Sequence, residues 1–127
     1  MAVEELLKWE GIDAVISLGI VGRLELIRSL IKSTRQVDPS MPAAFLDEME
    51  EFSLKYEKKY IVSIVELMEK YEKPVVGVSL TSTTEGTVRP VPGKKYSGVF
   101  YQTPENAVNV LSRMVAYQDF IKSMRID

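Results

Sequence analysis

The sequence predicts an α/β fold, a small parallel sheet with helices on both faces. Three observations carry this. Ala14-Val15-Ile16-Ser17-Leu18 and Val75-Val76-Gly77-Val78-Ser79-Leu80 are short apolar runs of the kind expected of strands covered on both sides. Each is followed by a loop of small or polar residues. Between and after them lie long stretches whose apolar residues recur every three or four positions. Such alternation calls for parallel strands joined by right-handed crossovers.

Taken in order, Ala2 to Trp9 reads as a short helix with Val3, Leu6, Leu7 and Trp9 inward, closed by a Gly11-Ile12-Asp13 turn. The first strand follows, with Gly19-Ile20-Val21-Gly22 at its carboxyl end. Arg23 to Ser33 gives a helix with Leu24, Ile27, Leu30 and Ile31 on one face. Val37-Asp38-Pro39-Ser40-Met41-Pro42 breaks the periodicity and is the clear internal linker. From Ala43 to about Tyr71 the pattern is helical again. Its stripe of Phe45, Met49, Phe52, Tyr56, Tyr60, Ile64, Met68 and Tyr71 is expected to be core, in one long helix or in two with a break near Tyr56 to Lys59.

Lys73-Pro74 opens the second strand. Thr87 to Pro92 is expected to be irregular, because two prolines stand two apart. Val99-Phe100-Tyr101 forms a third strand. Thr103-Pro104-Glu105 is a helix start: a hydroxyl N-cap, proline at the first helical position and an acid in the first turn. The closing helix, Ala107 to about Met124, is expected to turn Val108, Leu111, Val115 and Phe120 inward. Charged segments such as Glu57-Lys58-Lys59 read as solvated helix faces.

A chain of 127 residues with 46% apolar and 27% charged residues is one domain with a real core. Its net charge of −2 argues against a nucleic-acid partner. The chain has neither cysteine nor histidine. That excludes disulfides, thiolate nucleophiles, imidazole ligands, a Ser-His-Asp triad and phosphohistidine chemistry on this chain. Glu4, Glu5, Lys8 and Glu10 interrupt any leader-like apolar run, and no window has the roughly 20 apolar residues a membrane span requires. A cytoplasmic location is expected.

In open α/β sheets ligands bind beyond the carboxyl ends of the strands. Three loops occupy that position here: Gly19 to Arg23, Thr81 to Gly86, and Gln102 to Glu105. Gly19 and Gly22 let the backbone approach a ligand, the following helix N-terminus favours an anion, and Arg23 adds a fixed charge. With Thr81, Ser82 and Thr83 they form the candidate phosphate or anion site. The plainer alternatives are a tight strand-to-helix turn and a solvated hydroxyl loop. Thr103 and Glu105 are read as capping residues. No residue stands out as catalytic or as a metal ligand.

Gly11-Ile12-Asp13-Ala14-Val15-Ile16, Lys73-Pro74-Val75-Val76 and the run from Gly98 to Val110 resemble the flavodoxin-like domain of NDP-forming acyl-CoA synthetases, which include succinyl-CoA and ADP-forming acetyl-CoA synthetases. The similarity covers roughly Leu6 to Phe120, and Phe100 stands where the family often has Pro or Val. It implies a flavodoxin-like three-layer sheet of which this chain matches three to four strands, with a helical insertion at about 39–72. The family's order would place two further strands before the first, leaving an edge to be covered by the Ala43–Tyr71 segment or by a second copy.

The resemblance also implies CoA and ATP or ADP for the parent enzyme, bound by separate CoA-binding and ATP-grasp domains or subunits. With no histidine, the chain is expected to contribute a helix N-terminus or a docking surface rather than the phosphoryl carrier. A stand-alone, non-catalytic interaction or oligomerisation module is the alternative, and a homodimer is compatible with both.

Overall fold

The computed structural model describes residues 1–81 and 87–125. Its elements are α1 (Ala2–Lys8), β1 (Val15–Leu18), α2 (Arg23–Val37), α3 (Ala43–Tyr71), β2 (Val75–Val78), β3 (Val88–Pro90), β4 (Ser97–Tyr101) and α4 (Pro104–Met124). The strands form one open sheet in the order β1-β2-β4-β3. β1 pairs with β2 and β2 with β4 in parallel, with Val15 opposite Val75 and Val78 opposite Tyr101. β3 runs antiparallel to β4, with Val88 opposite Val99.

The sheet is the middle of three layers. On one face α1 and α3 bring Leu7, Ile61, Ile64 and Val65 against Val15, Val75 and Phe100. On the other, α4 sets Ala107 and Leu111 over Val76 and Val78, with Ile16 and Tyr101 at the margin. Strand residues two apart share a face, so Val75 and Gly77 look to α3 while Val76 and Val78 look to α4. The chain thus has an α/β fold with a flavodoxin-like three-layer arrangement.

α2 packs on α3, with Leu24 and Ile31 buried. Arg28–Glu50 at 2.6 Å and Arg35–Asp47 at 2.7 Å bridge the two helices. Both pairs are exposed and add little to stability. Lys73 donates to the carbonyls of Leu7 and Trp9, each at 2.9 Å, so the residue before Pro74 ties the end of α1 to the start of β2.

The structure differs from the sequence expectations where helices outrun the sheet. α3 is a single unbroken helix of 29 residues, about 43 Å long, whereas a five-residue strand spans about 17 Å. Only its second half lies on the sheet. Phe45, Met49, Phe52 and Tyr56, expected in the core, are therefore exposed. α3 also lies across a face of the sheet and does not cover the β1 edge. α2 and α3 together connect β1 to β2, and the segment read as a helical insertion at about 39–72 holds α3.

α4 repeats the effect. Ala107 is fully buried, but Val108, Val115 and Phe120 are exposed, because the helix runs past the strands and Val108 is rotated away from them. Leu30, Leu6 and Trp9 likewise face outward. The segment expected to be irregular contains β3: Pro90 lacks an N–H but stands on an edge strand, where none is required.

Candidate functional site

Strand β1 ends in the turn that the two glycines were expected to allow. Gly22 has a φ of 90° and serves as N-cap of α2. A Cβ there would stand 2.6 Å from Ser79 Oγ and 2.9 Å from the Leu80 nitrogen, so the turn is pressed directly on the end of β2. Leu80 N–H donates to the Val21 carbonyl at 3.0 Å, and Thr81 Oγ1 donates to the Gly22 carbonyl at 3.1 Å. Ser79 Oγ donates to the Thr81 carbonyl at 2.7 Å. The structure therefore brings Gly22 and Thr81 together. Ser82 and Thr83 lie outside the described residues, as do Thr84, Glu85 and Gly86.

Arg23 is exposed, and its Nε donates to the Gly19 carbonyl at 2.6 Å, which closes the turn on itself. Thr103 is the N-cap of α4, its hydroxyl accepting from Asn106 N–H at 3.2 Å, with Pro104 next and Glu105 in the first turn. Thr103 makes the capping hydrogen bond, and Glu105 is the acid of the first turn. Among the described residues no side-chain hydrogen bond links Thr103 or Glu105 to the other two loops.

The group at the α2 N-terminus is one the sequence reading placed in solvent. Glu57 is buried, and its Oε2 accepts the Gly22 N–H at 3.0 Å. Its Oε1 accepts from Arg89 Nη1 on β3 at 2.9 Å, and Arg89 is equally buried. The anion at this helix end is thus a carboxylate from the chain itself, which suits the positive end of the helix dipole. The signal was present in the spacing. Glu57 lies three and four positions before Tyr60 and Ile61, on the stripe that reaches the sheet, so it is a carboxylate in a core register.

Arg89 is held by more than charge. Its guanidinium lies 5.4 Å from the centre of the Phe100 ring. That ring rests on the bare backbone of Gly77, where a Cβ would come within 2.1 Å of Phe100 Cδ1. A continuous stack therefore runs from Gly77 through Phe100, Arg89 and Glu57 to Gly22, linking the centre of the sheet to the α2 turn. One turn along α3 from Glu57, the Tyr60 hydroxyl is hydrogen-bonded to Ser17 Oγ of β1.

Burial pushes the Tyr60 phenol above its ordinary value, with the Ser17 bond opposing that shift. The unfolded chain then ionises first, so the stability this tyrosine contributes is complete below about pH 10 and is lost as pH rises through the folded-state value. Tyr60→Phe is expected to make the alkaline loss of stability shallower than in the unaltered protein. Urea unfolding at about pH 8 and about pH 11 measures it, and equal slopes in both proteins would refute the assignment.

Two hollows flank these features. One of about 280 Å³ lies at the carboxyl end of β1, walled by Ile20, Arg23, Phe52, Tyr56 and Glu57. The other, of about 420 Å³ and strongly apolar, lies at the opposite end of the strands among Met68, Pro74, Val76, Tyr96, Tyr101 and Met114. No family model matches the chain, and neither a curated protein nor a solved structure does. Among the described residues no helix is long and apolar enough to cross a membrane.

Proposed function

We propose that this chain is a non-catalytic, cytoplasmic flavodoxin-like domain of an NDP-forming acyl-CoA synthetase, an acid-thiol ligase. In that assembly other domains or subunits supply the phosphohistidine, the CoA site and the ATP-grasp nucleotide site. The observation that carries the reading is the filled α2 N-terminus. The chain has no histidine to carry a phosphoryl group, and among the described residues the α2 N-terminus already holds the Glu57 carboxylate on the Gly22 N–H. Of the two contributions the resemblance implies, a docking surface fits this arrangement better than a helix N-terminus directed at phosphate. The matching segments support it, since Lys73-Pro74 opens β2 and Thr103-Pro104-Glu105 opens α4.

Exposed Phe45, Phe52, Tyr117 and Phe120 on α3 and α4 favour the second reading, a free-standing interaction module. Affinity capture on the purified chain separates the two. The ligase reading expects the captured material to form ATP from ADP, phosphate and an acyl-CoA, with the chain alone inactive. Capture without any acyl-CoA-dependent ATP formation would overturn it and leave the interaction module.

A further inference from the structure

We infer that β1 is the subunit interface of a two-fold dimer, in which two copies join their sheets edge to edge into one eight-stranded sheet. The inference does not depend on the ligase reading. The two edges of the sheet are built differently. β3 is three residues long and carries Pro90, features that discourage further pairing. β1 has no charge and no proline, and its Val-Ile-Ser-Leu sequence is that of an interior strand. Among the described residues its only pairing is with β2.

The register says which backbone groups stay open. Val15 N–H donates to the Pro74 carbonyl, so in a parallel ladder Val15 and Ser17 turn both their backbone groups to β2. Ile16 and Leu18 turn theirs outward. A two-fold axis at Ser17 sets Ile16 of one copy opposite Leu18 of the other, and each such pair exchanges two N–H···O=C bonds. That gives four new ladder bonds from a strand of four residues. Opposite residues in an antiparallel pair share a face, so Leu18, 59% exposed in the single chain, would be covered by Ile16 of the second copy.

Charge selects the same partner. Asp13 lies just before β1 and Arg23 just after the turn that ends it, both exposed and neither in an ion pair among the described residues. Antiparallel self-pairing sets the acidic end of one strand beside the basic end of the other, twice. A strand added in parallel would set like ends together.

Sedimentation equilibrium of the full chain over a wide concentration range tests this. The expected result is a species of twice the 14.4 kDa chain mass. Leu18→Pro removes only an outward N–H, and Leu18→Lys places a charge in the join. Each should raise the dissociation constant about tenfold or more while the circular dichroism spectrum is kept. Asp13→Arg and Arg23→Asp should each weaken the dimer, and the double reversal should restore it. A monomer at every concentration overturns the inference, and so does a dimer that Leu18→Pro and Leu18→Lys leave unchanged.

Discussion

Arg89→Met is expected to lower the unfolding free energy by about 3–5 kcal/mol, read as a fall in the urea midpoint with little change in slope. Methionine keeps most of the arginine's apolar bulk, so the variant isolates the charge. The Glu57 carboxylate then remains buried with the Gly22 N–H as its partner among the described side-chain and backbone contacts. Glu57→Leu should also cost several kcal/mol, because it removes the acceptor from the buried Gly22 N–H and one ion-pair partner from the buried Arg89. The two are in one network, so their effects should not add. The double variant is expected to be more stable than the sum of the single losses implies, by about 1–3 kcal/mol. Strict additivity would mean that the pair is not coupled, and the account of the α2 turn given above would fail.

Gly77→Val should be at least as damaging, about 3 kcal/mol or more, with a fall in Tm of about 10 °C. Relief by ring displacement is blocked. The Phe100 ring has Gly77 on one side, and on another it approaches Gly98, where a Cβ would meet Phe100 Cε2 at 2.8 Å and Ile61 Cγ2 at 3.0 Å. Arg89 covers its face. Moving the ring therefore moves Arg89, and with it the hold on Glu57. Shortening the obstacle should help: Gly77→Ala combined with Phe100→Leu is expected to be more stable than Gly77→Ala alone. Thermal unfolding followed by circular dichroism gives both comparisons. A Gly77→Val protein that unfolds at the unaltered temperature would show that the ring is free to move and that the stack does not transmit strain.

Both predictions concern a chain of contacts that joins residues far apart in sequence, and this explains why the sequence disclosed it only in part. Position by position, Gly77 is an ordinary small residue in an apolar run, Phe100 an ordinary strand aromatic, and Arg89 lies among prolines. Their roles follow from β4 lying next to β2 and β3 folding back on β4, which no local pattern states. Glu57 is the intermediate case. Its register on α3 was visible, but the neighbouring Lys58 and Lys59 suggested solvent, and only the position of the sheet beneath α3 decides which side of the helix is inside.

What the sequence determined by itself was the set of elements whose cause is local. The strands at Val15 and Val75 follow from short β-branched runs bounded by turn residues. The start of α4 follows from Thr103 and Pro104, whose backbone geometry permits little else. The turn at Gly22 follows from a residue that accepts a positive φ. The tertiary structure decided burial along the long helices, because an amphipathic stripe continues past the point where a short sheet ends. It also decided the occupant of the α2 N-terminus, because a helix end attracts an anion without specifying its source, and the fold placed Glu57 of α3 within reach of it.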